Sequence, residues 1–187
     1  MNLTRCFIAL ELPLPVQKHL GGIISRLKEA QADVKWVDPK NTHLTMKFLG
    51  EITPEQVNCA REFLVQQRGK HRAIGCHAGQ IGVFPSWNRP QVIWLGLKTG
   101  TSDISALQKE LEGDLAEWGF ARDPKKFKPH LTLGRVRSPN NMDKLAERIR
   151  TLPLEEIEFS FEELALIKST LTQSGPVYQT LETIKLS

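Results

Sequence analysis

The sequence contains few of the features that mark secreted or membrane proteins. Cysteine occurs three times, at Cys6, Cys59 and Cys76, with no C-x-x-C pair. An odd, unpaired set excludes a disulfide framework and fits thiols kept in a reducing compartment. No apolar run approaches the roughly twenty residues that a membrane-spanning helix needs. The run Cys6 to Leu10 near the start stops at Glu11, too short for the core of a secretory signal. A soluble, cytoplasmic protein with no membrane partner is expected. Several catalytic signatures are missing too. There is no H-E-x-x-H, no G-x-S-x-G and no phosphate loop, since Gly96 to Ser102 carries Lys98 and Thr99 in the wrong order. These absences argue against a metallohydrolase, an α/β-hydrolase and a P-loop enzyme. No metal and no cofactor is expected.

What is present is an ordinary globular composition, 40% hydrophobic and 25% charged over 187 residues, enough for one domain or two small lobes sharing a core. The net charge of +4 leans toward an anionic partner, although solvated lysines on a surface account for it equally well. Short strands and amphipathic helices alternate along the chain. Arg5 to Leu12 reads as a buried strand, and Leu20, Ile23, Ile24 and Leu27 recur at helical spacing. Val34 to Val37 is a short strand, followed by the turn Asp38-Pro39-Lys40-Asn41. His43 to Gly50 alternates as a strand, and Thr53 with Pro54 opens a helix running to about Gln67. Two strands (Ala73 to Val83, Gln91 to Leu97), a helix from about Ser102 to Trp118, a strand from His130 to Arg137 and a helix around Met142 to Arg150 follow. The tail supplies strands at Ile157 to Phe161, Leu164 to Ser169 and Tyr178 to Lys185. Strands in adjacent pairs predict an α+β fold with antiparallel sheets rather than a doubly wound parallel sheet.

One internal echo stands out. Asp38-Pro39-Lys40 precedes the strand beginning His43-Leu44-Thr45-Met46, and Asp123-Pro124-Lys125 precedes the strand beginning His130-Leu131-Thr132-Leu133. A turn and a helix follow each, which suggests two lobes related by duplication. In a strand each His and its Thr share a face, with Cα atoms about 7 Å apart, while Leu44 and Leu131 point into the core. A lone His on a strand is usually structural. By composition, however, two His-Leu-Thr matches among five histidines arise by chance only about once in a thousand sequences. His19, His71 and His77 lack the pattern and read as structural or surface residues.

Two imidazoles flanking one phosphate suit phosphodiester hydrolysis without metal. One takes a proton from the attacking water and the other protonates the departing ribose oxygen. Thr45 and Thr132 can donate hydrogen bonds to the non-bridging oxygens, where charge develops.

The paired H-x-T-x tetrapeptides, within Thr42 to Gly50 and Phe127 to Arg135, resemble those of the 2H phosphoesterases. More narrowly, the chain resembles the RNA 2′,3′-cyclic phosphodiesterases, also called 2′-5′ RNA ligases; Arg5 to Leu10, Phe84-Pro85 and Trp94-Leu95-Gly96 fit as well. The resemblance spans nearly the whole chain. It implies a bilobal 2H phosphoesterase fold, two pseudo-symmetric lobes each with an antiparallel sheet and flanking helices around a central cleft. Residues 1–187 would form one catalytic domain with one motif per lobe, at 43–46 and 130–133. It further implies hydrolysis of a terminal 2′,3′-cyclic phosphate on RNA to a 2′-phosphomonoester, with His43 as proton donor and His130 as proton acceptor. ATP-independent 2′-5′ joining of RNA is implied as a secondary activity. The implied partners are RNA ends bearing the cyclic phosphate, tRNA halves among them; a monomer is expected.

Other residues have two readings each. Lys47 continues the face of His43 and Thr45 by alternation, as a phosphate contact or as a solvated lysine at the rim. Arg135 falls on the opposite parity to His130, which favours a structural ion pair unless a bulge intervenes. Phe7, Trp36 and Phe84 are either stacking platforms for a base or core residues. Lys128, in the basic run abutting His130, could follow an RNA backbone electrostatically. Two competing classes remain open: a module that only binds RNA ends, and a sister enzyme acting on a 2′-5′ oligonucleotide or a cyclic nucleotide.

Overall fold

The computed structural model describes residues 3–173 and 175–187. Strand β1 (Thr4–Glu11) leads into helix α1 (Leu14–Lys28), which carries Pro15 in its first turn, where a missing N–H breaks no helical bond. Its buried stripe is Val16, Leu20, Ile23, Ile24 and Leu27. Strand β2 (Val34–Trp36) and a single 3-10 turn, Pro39–Asn41, follow. Asp38 caps that turn by accepting from the Lys40 backbone N–H at 3.1 Å. Strand β3 (His43–Ile52) then gives way to α2 (Pro54–Gln66), opened by a full capping box. Thr53 Oγ1 accepts from the Gln56 N–H, and the Gln56 side chain accepts from the Thr53 N–H. The chain continues with β4 (Ile74–Phe84), β5 (Val92–Leu97), α3 (Thr101–Glu117), β6 (Leu131–Val136), α4 (Met142–Thr151), β7 (Ile157–Phe161), β8 (Glu163–Thr172) and β9 (Gly175–Lys185).

The fold is α+β with two antiparallel sheets, ordered β3-β1-β8-β9 and β2-β6-β5-β4-β7. A β–α–β–α pattern occurs twice, as β1-α1-β3-α2 and as β5-α3-β6-α4, with the two strands of each copy paired. The sheets do not divide the chain into halves. β2 edges the sheet of the second motif, and the C-terminal hairpin β8-β9 extends the sheet of the first.

One continuous core joins the sheets to the helices, and Leu44 and Leu131, the central residues of the two motifs, are fully buried in it. Each such leucine stabilises the fold by roughly 1.5–3 kcal/mol. Helix α2 packs on β1, β8 and β9; α1 packs on α4 and β7; α3 reaches both β3 and β4. A second, small cluster of Phe7, Ala9, Ala165 and Ile167 with Tyr178 lies on the other face of the first sheet. Strands β3 and β6 approach within 8 Å between Cα atoms at the junction of the sheets, so the strands carrying the two motifs adjoin.

Candidate active site

The two motif histidines are tethered in the same way. His43 Nδ1 lies 2.9 Å from the Asn41 carbonyl oxygen, and His130 Nδ1 lies 2.7 Å from that of Lys128. In each case the carbonyl belongs to the residue two positions earlier. A carbonyl can only accept, so each Nδ1 carries the hydrogen and each Nε2 keeps its lone pair. Aromatic contacts fix the ring planes. The Phe7 ring stacks on His43 at 4.6 Å and 26°, and Tyr178 meets His43 edge-on at 5.3 Å. Phe84 meets His130 edge-on at 5.1 Å and is itself stacked on Trp94 at 5.0 Å. Trp94 lies across Gly82 and Gly96: a Cβ at Gly96 would stand 2.8 Å from the indole, and one at Gly82 would fall inside it. Only glycine at both positions lets the indole lie there.

Burial lowers the proton affinity of both rings. It pushes His43 down to about 4, against the opposing pull of the Asn41 carbonyl. His130 is also lowered by burial, with the Lys128 carbonyl opposing and the Arg135 charge adding to the fall. Both imidazoles are therefore neutral near pH 7 in the free protein, each with a basic Nε2.

Both motif strands carry a β-bulge at the same place. Along β1 and β3, Ala9 pairs with Thr45 but Ile8 pairs with Lys47, leaving Met46 without a partner. Along β5 and β6, Trp94 pairs with Thr132 but Ile93 pairs with Gly134, leaving Leu133 unpaired. Each extra residue reverses the alternation beyond the motif threonine. Thr45 and Thr132 stay on the faces of their histidines, both half-buried. Phe48 and Arg135 then join those faces. Arg135 is exposed and acts electrostatically on both His130 and Tyr178. The simple parity that set Arg135 apart from His130 is thus corrected by the bulge.

The same bulge removes Lys47 from the site, correcting both sequence readings of that residue. Lys47 turns to the helix-covered side, is 4% exposed, and its Nζ donates to Glu112 Oε1 at 2.6 Å and to the Ala121 carbonyl at 2.5 Å. Glu112 also accepts from the Asp123 N–H at 2.6 Å, so the pair ties the strand of His43 to the segment leading to His130. Of the two readings of Trp36, the structure shows the core one and not the stacking platform. It pairs with Gly134, whose partner on β5 is the buried Ile93, so it projects toward the core, where its ring packs over Gly134. Lys35, paired with Arg135, takes the opposite face and shares it with Arg135.

Phe7 and Phe84 contact the two histidines as described, and the Lys128 ammonium sits 5.5 Å from the centre of the Phe84 ring. The sequence reading missed Tyr178, Phe48 and Lys35. Tyr178 is the only tyrosine in the chain, a signal that alternation from either motif could not place. Among the described residues, no group of three or more His, Cys, Asp or Glu side chains is arranged to hold a metal ion. No helix among them is long and apolar enough to cross a membrane.

Comparison with known proteins places this geometry in context. Residues 12–173 match the family model described as the 2′-5′ RNA ligase superfamily. The chain is 34% identical over 183 residues to a Methanothermobacter thermautotrophicus protein named RNA 2′,3′-cyclic phosphodiesterase, covering 97% of this chain and 98% of that one. A Thermotoga maritima protein of the same name is 33% identical over 95% of this chain and 92% of its own. Among solved structures, TT0787 of Thermus thermophilus superposes with a TM-score of 0.78 at 25% identity, covering 97% of each chain. Escherichia coli LigT complexed with 3′-AMP has a fold similar to this one, with a TM-score of 0.77 at 24% identity and 99% of each chain covered.

Proposed function

This chain belongs to the 2′-5′ RNA ligase superfamily, and from that membership we propose that it hydrolyses the 2′,3′-cyclic phosphate at an RNA end to a 2′-phosphomonoester, without metal, in a single two-lobed catalytic domain. The relatives named RNA 2′,3′-cyclic phosphodiesterase supply the substrate class. The observation that carries the mechanism is the matched tether of His43 and His130, each with Nδ1–H held by a backbone carbonyl and Nε2 free.

His130 Nε2 takes a proton from a water that attacks the cyclic phosphorus. The bond from phosphorus to the ribose 3′ oxygen breaks, and His43 delivers a proton from Nε2 to that oxygen. A 2′-phosphate and a free 3′ hydroxyl remain, and the two imidazoles exchange protons with solvent to reset. His43 is neutral in the free protein, so it must first be protonated. The anionic phosphodiester arriving beside it favours the imidazolium. Thr45 and Thr132 donate to the non-bridging oxygens, and Arg135 offsets their charge. Joining RNA through a 2′-5′ linkage is the same displacement with an RNA hydroxyl in place of water, and it follows as a secondary activity in this site.

The test is incubation of the protein with an oligoribonucleotide ending in 2′,3′-cyclic phosphate, in excess EDTA, with the product isomer identified by digestion and chromatography. A 2′-phosphate end is expected. No turnover in EDTA that returns with a divalent cation, or a 3′-phosphate product, would contradict the reading.

A further inference from the structure

A polar cavity of about 360 Å³ adjoins His43. His43 and Tyr178 contribute to its wall, together with Glu11, Glu163, Thr42 and Lys40. Glu11 stands directly opposite His43 in the β1–β3 register. Neither carboxylate has a strong partner. Glu11 accepts a long bond from the Thr180 hydroxyl at 3.5 Å, and the Glu163 side chain makes no hydrogen bond or ion pair among the described residues. Thr42 is 4% exposed, and its hydroxyl has no partner among the described residues. A buried hydroxyl left unpaired is destabilising, so such a group beside a catalytic residue asks for a ligand.

The acid–base chemistry uses none of these groups. The two carboxylates also repel: burial and the neighbouring Glu163 together raise the Glu11 carboxyl above its ordinary range. A ligand that brings N–H donors to the carboxylates and an acceptor to Thr42 and Lys40 resolves both problems. Carboxylates only accept, and they accept two parallel donors best. Among the four bases, guanine alone presents two adjacent donors, N1–H and N2–H, beside an acceptor, O6. Uracil offers one donor flanked by two acceptors, which a carboxylate repels. Adenine and cytosine offer a single amino group next to an unprotonated ring nitrogen.

We propose that this cavity reads the base carrying the cyclic phosphate and selects guanine, with Glu11 and Glu163 accepting from its Watson–Crick edge and Thr42 donating to O6. The inference rests on the cyclic phosphodiesterase reading and adds base specificity to the same site.

The experiment measures kcat/KM for guanosine, inosine, adenosine, cytidine and uridine 2′,3′-cyclic phosphates with the wild-type protein and with E163Q and E11Q. Inosine keeps N1–H and O6 but lacks the N2 amino group, so it isolates one hydrogen bond to a charged acceptor. Guanosine is expected to exceed inosine and uridine by about 10- to 100-fold. That ratio should collapse toward one in at least one glutamine variant; the two are made separately so that misfolding of either leaves the other to decide. Equal turnover of all five substrates, or a guanosine preference intact in both variants, would overturn the base reading alone. Absence of turnover with every base would instead overturn the phosphodiesterase reading, and this inference with it.

Discussion

Phe48 and Arg135 occupy the same place on the two motif strands, each five residues beyond its motif histidine and each turned onto the histidine's face by a bulge just after the motif threonine. The repeated β–α–β–α pattern therefore carries the same backbone irregularity twice while changing what it presents. One copy offers an exposed ring, 54% accessible, and the other a guanidinium that senses both His130 and Tyr178. The cationic side is where negative charge on the reacting phosphate can be offset.

Arg135→Ala should lower kcat/KM roughly 10- to 100-fold, the value of a hydrogen bond to a charged group. Lys35→Ala should cost more on an oligonucleotide than on a cyclic mononucleotide, because Lys35 shares the Arg135 face farther from the motif. Steady-state kinetics on both substrates separates the two. An Arg135→Ala protein at the wild-type rate would show that the bulge serves packing only.

The Trp94–Phe84–His130 series rests on two glycines, so a methyl group at Gly82 must displace the indole. Gly82→Ala should lower kcat on the order of 10²-fold by misplacing His130, with little change in the circular dichroism spectrum. Gly22→Ala, where an added Cβ meets nothing within 4 Å, should leave kcat unchanged.

The pH dependence follows from burial of the histidines. His43 is pushed down to about 4, and His130 also lies below its usual 6.5. The limbs of kcat/KM, which report the free protein, should therefore both fall below pH 6.5. The upper limb of kcat should move to higher pH, since bound phosphate favours the His43 imidazolium. For stability the sign is fixed by the same shift. Between about pH 4 and 6.5 an unfolded His43 binds more protons than the folded one, so stability rises with pH across that window and is lost as pH falls through it. His43→Asn should flatten the slope of Tm against pH over this range.

Lys47 and Glu112 form a buried pair, so removing one charge strands the other. Lys47→Met should destabilise the protein by about 3–5 kcal/mol in chemical denaturation, and Lys47→Met with Glu112→Leu should recover much of it. A loss below about 1 kcal/mol for the single variant would place the pair in effective contact with solvent.

Much of the fold could be read from residue patterns. The capping box at Thr53 and Gln56, the apolar stripe of α1 and the repeated His-Leu-Thr strands each depend on local chemistry, and the elements stand within a few residues of their expected bounds. Lys47, which was misplaced, and Trp36, which had two readings, depend on pairing instead. Strict alternation puts Lys47 beside Thr45, but the Met46 bulge exists only because β1 lies alongside, and nothing in the tetrapeptide announces it. The choice between the two readings of Trp36 has a related cause. The facing of β2 is set by its register with β6, a strand nearly a hundred residues later in the chain. Tyr178 reaches His43 from the far end of the chain through the order β3-β1-β8-β9, which no local pattern encodes.

The division of labour between the two imidazoles is tested most directly by single-turnover rates of His43→Ala, His130→Ala and the double variant on an RNA ending in 2′,3′-cyclic phosphate. Each single variant is expected to lose about 10²–10⁴-fold, and the double variant little more than the worse single one, because the two rings act on one displacement. A full rate in either single variant, or two losses that multiply as independent effects, would contradict it.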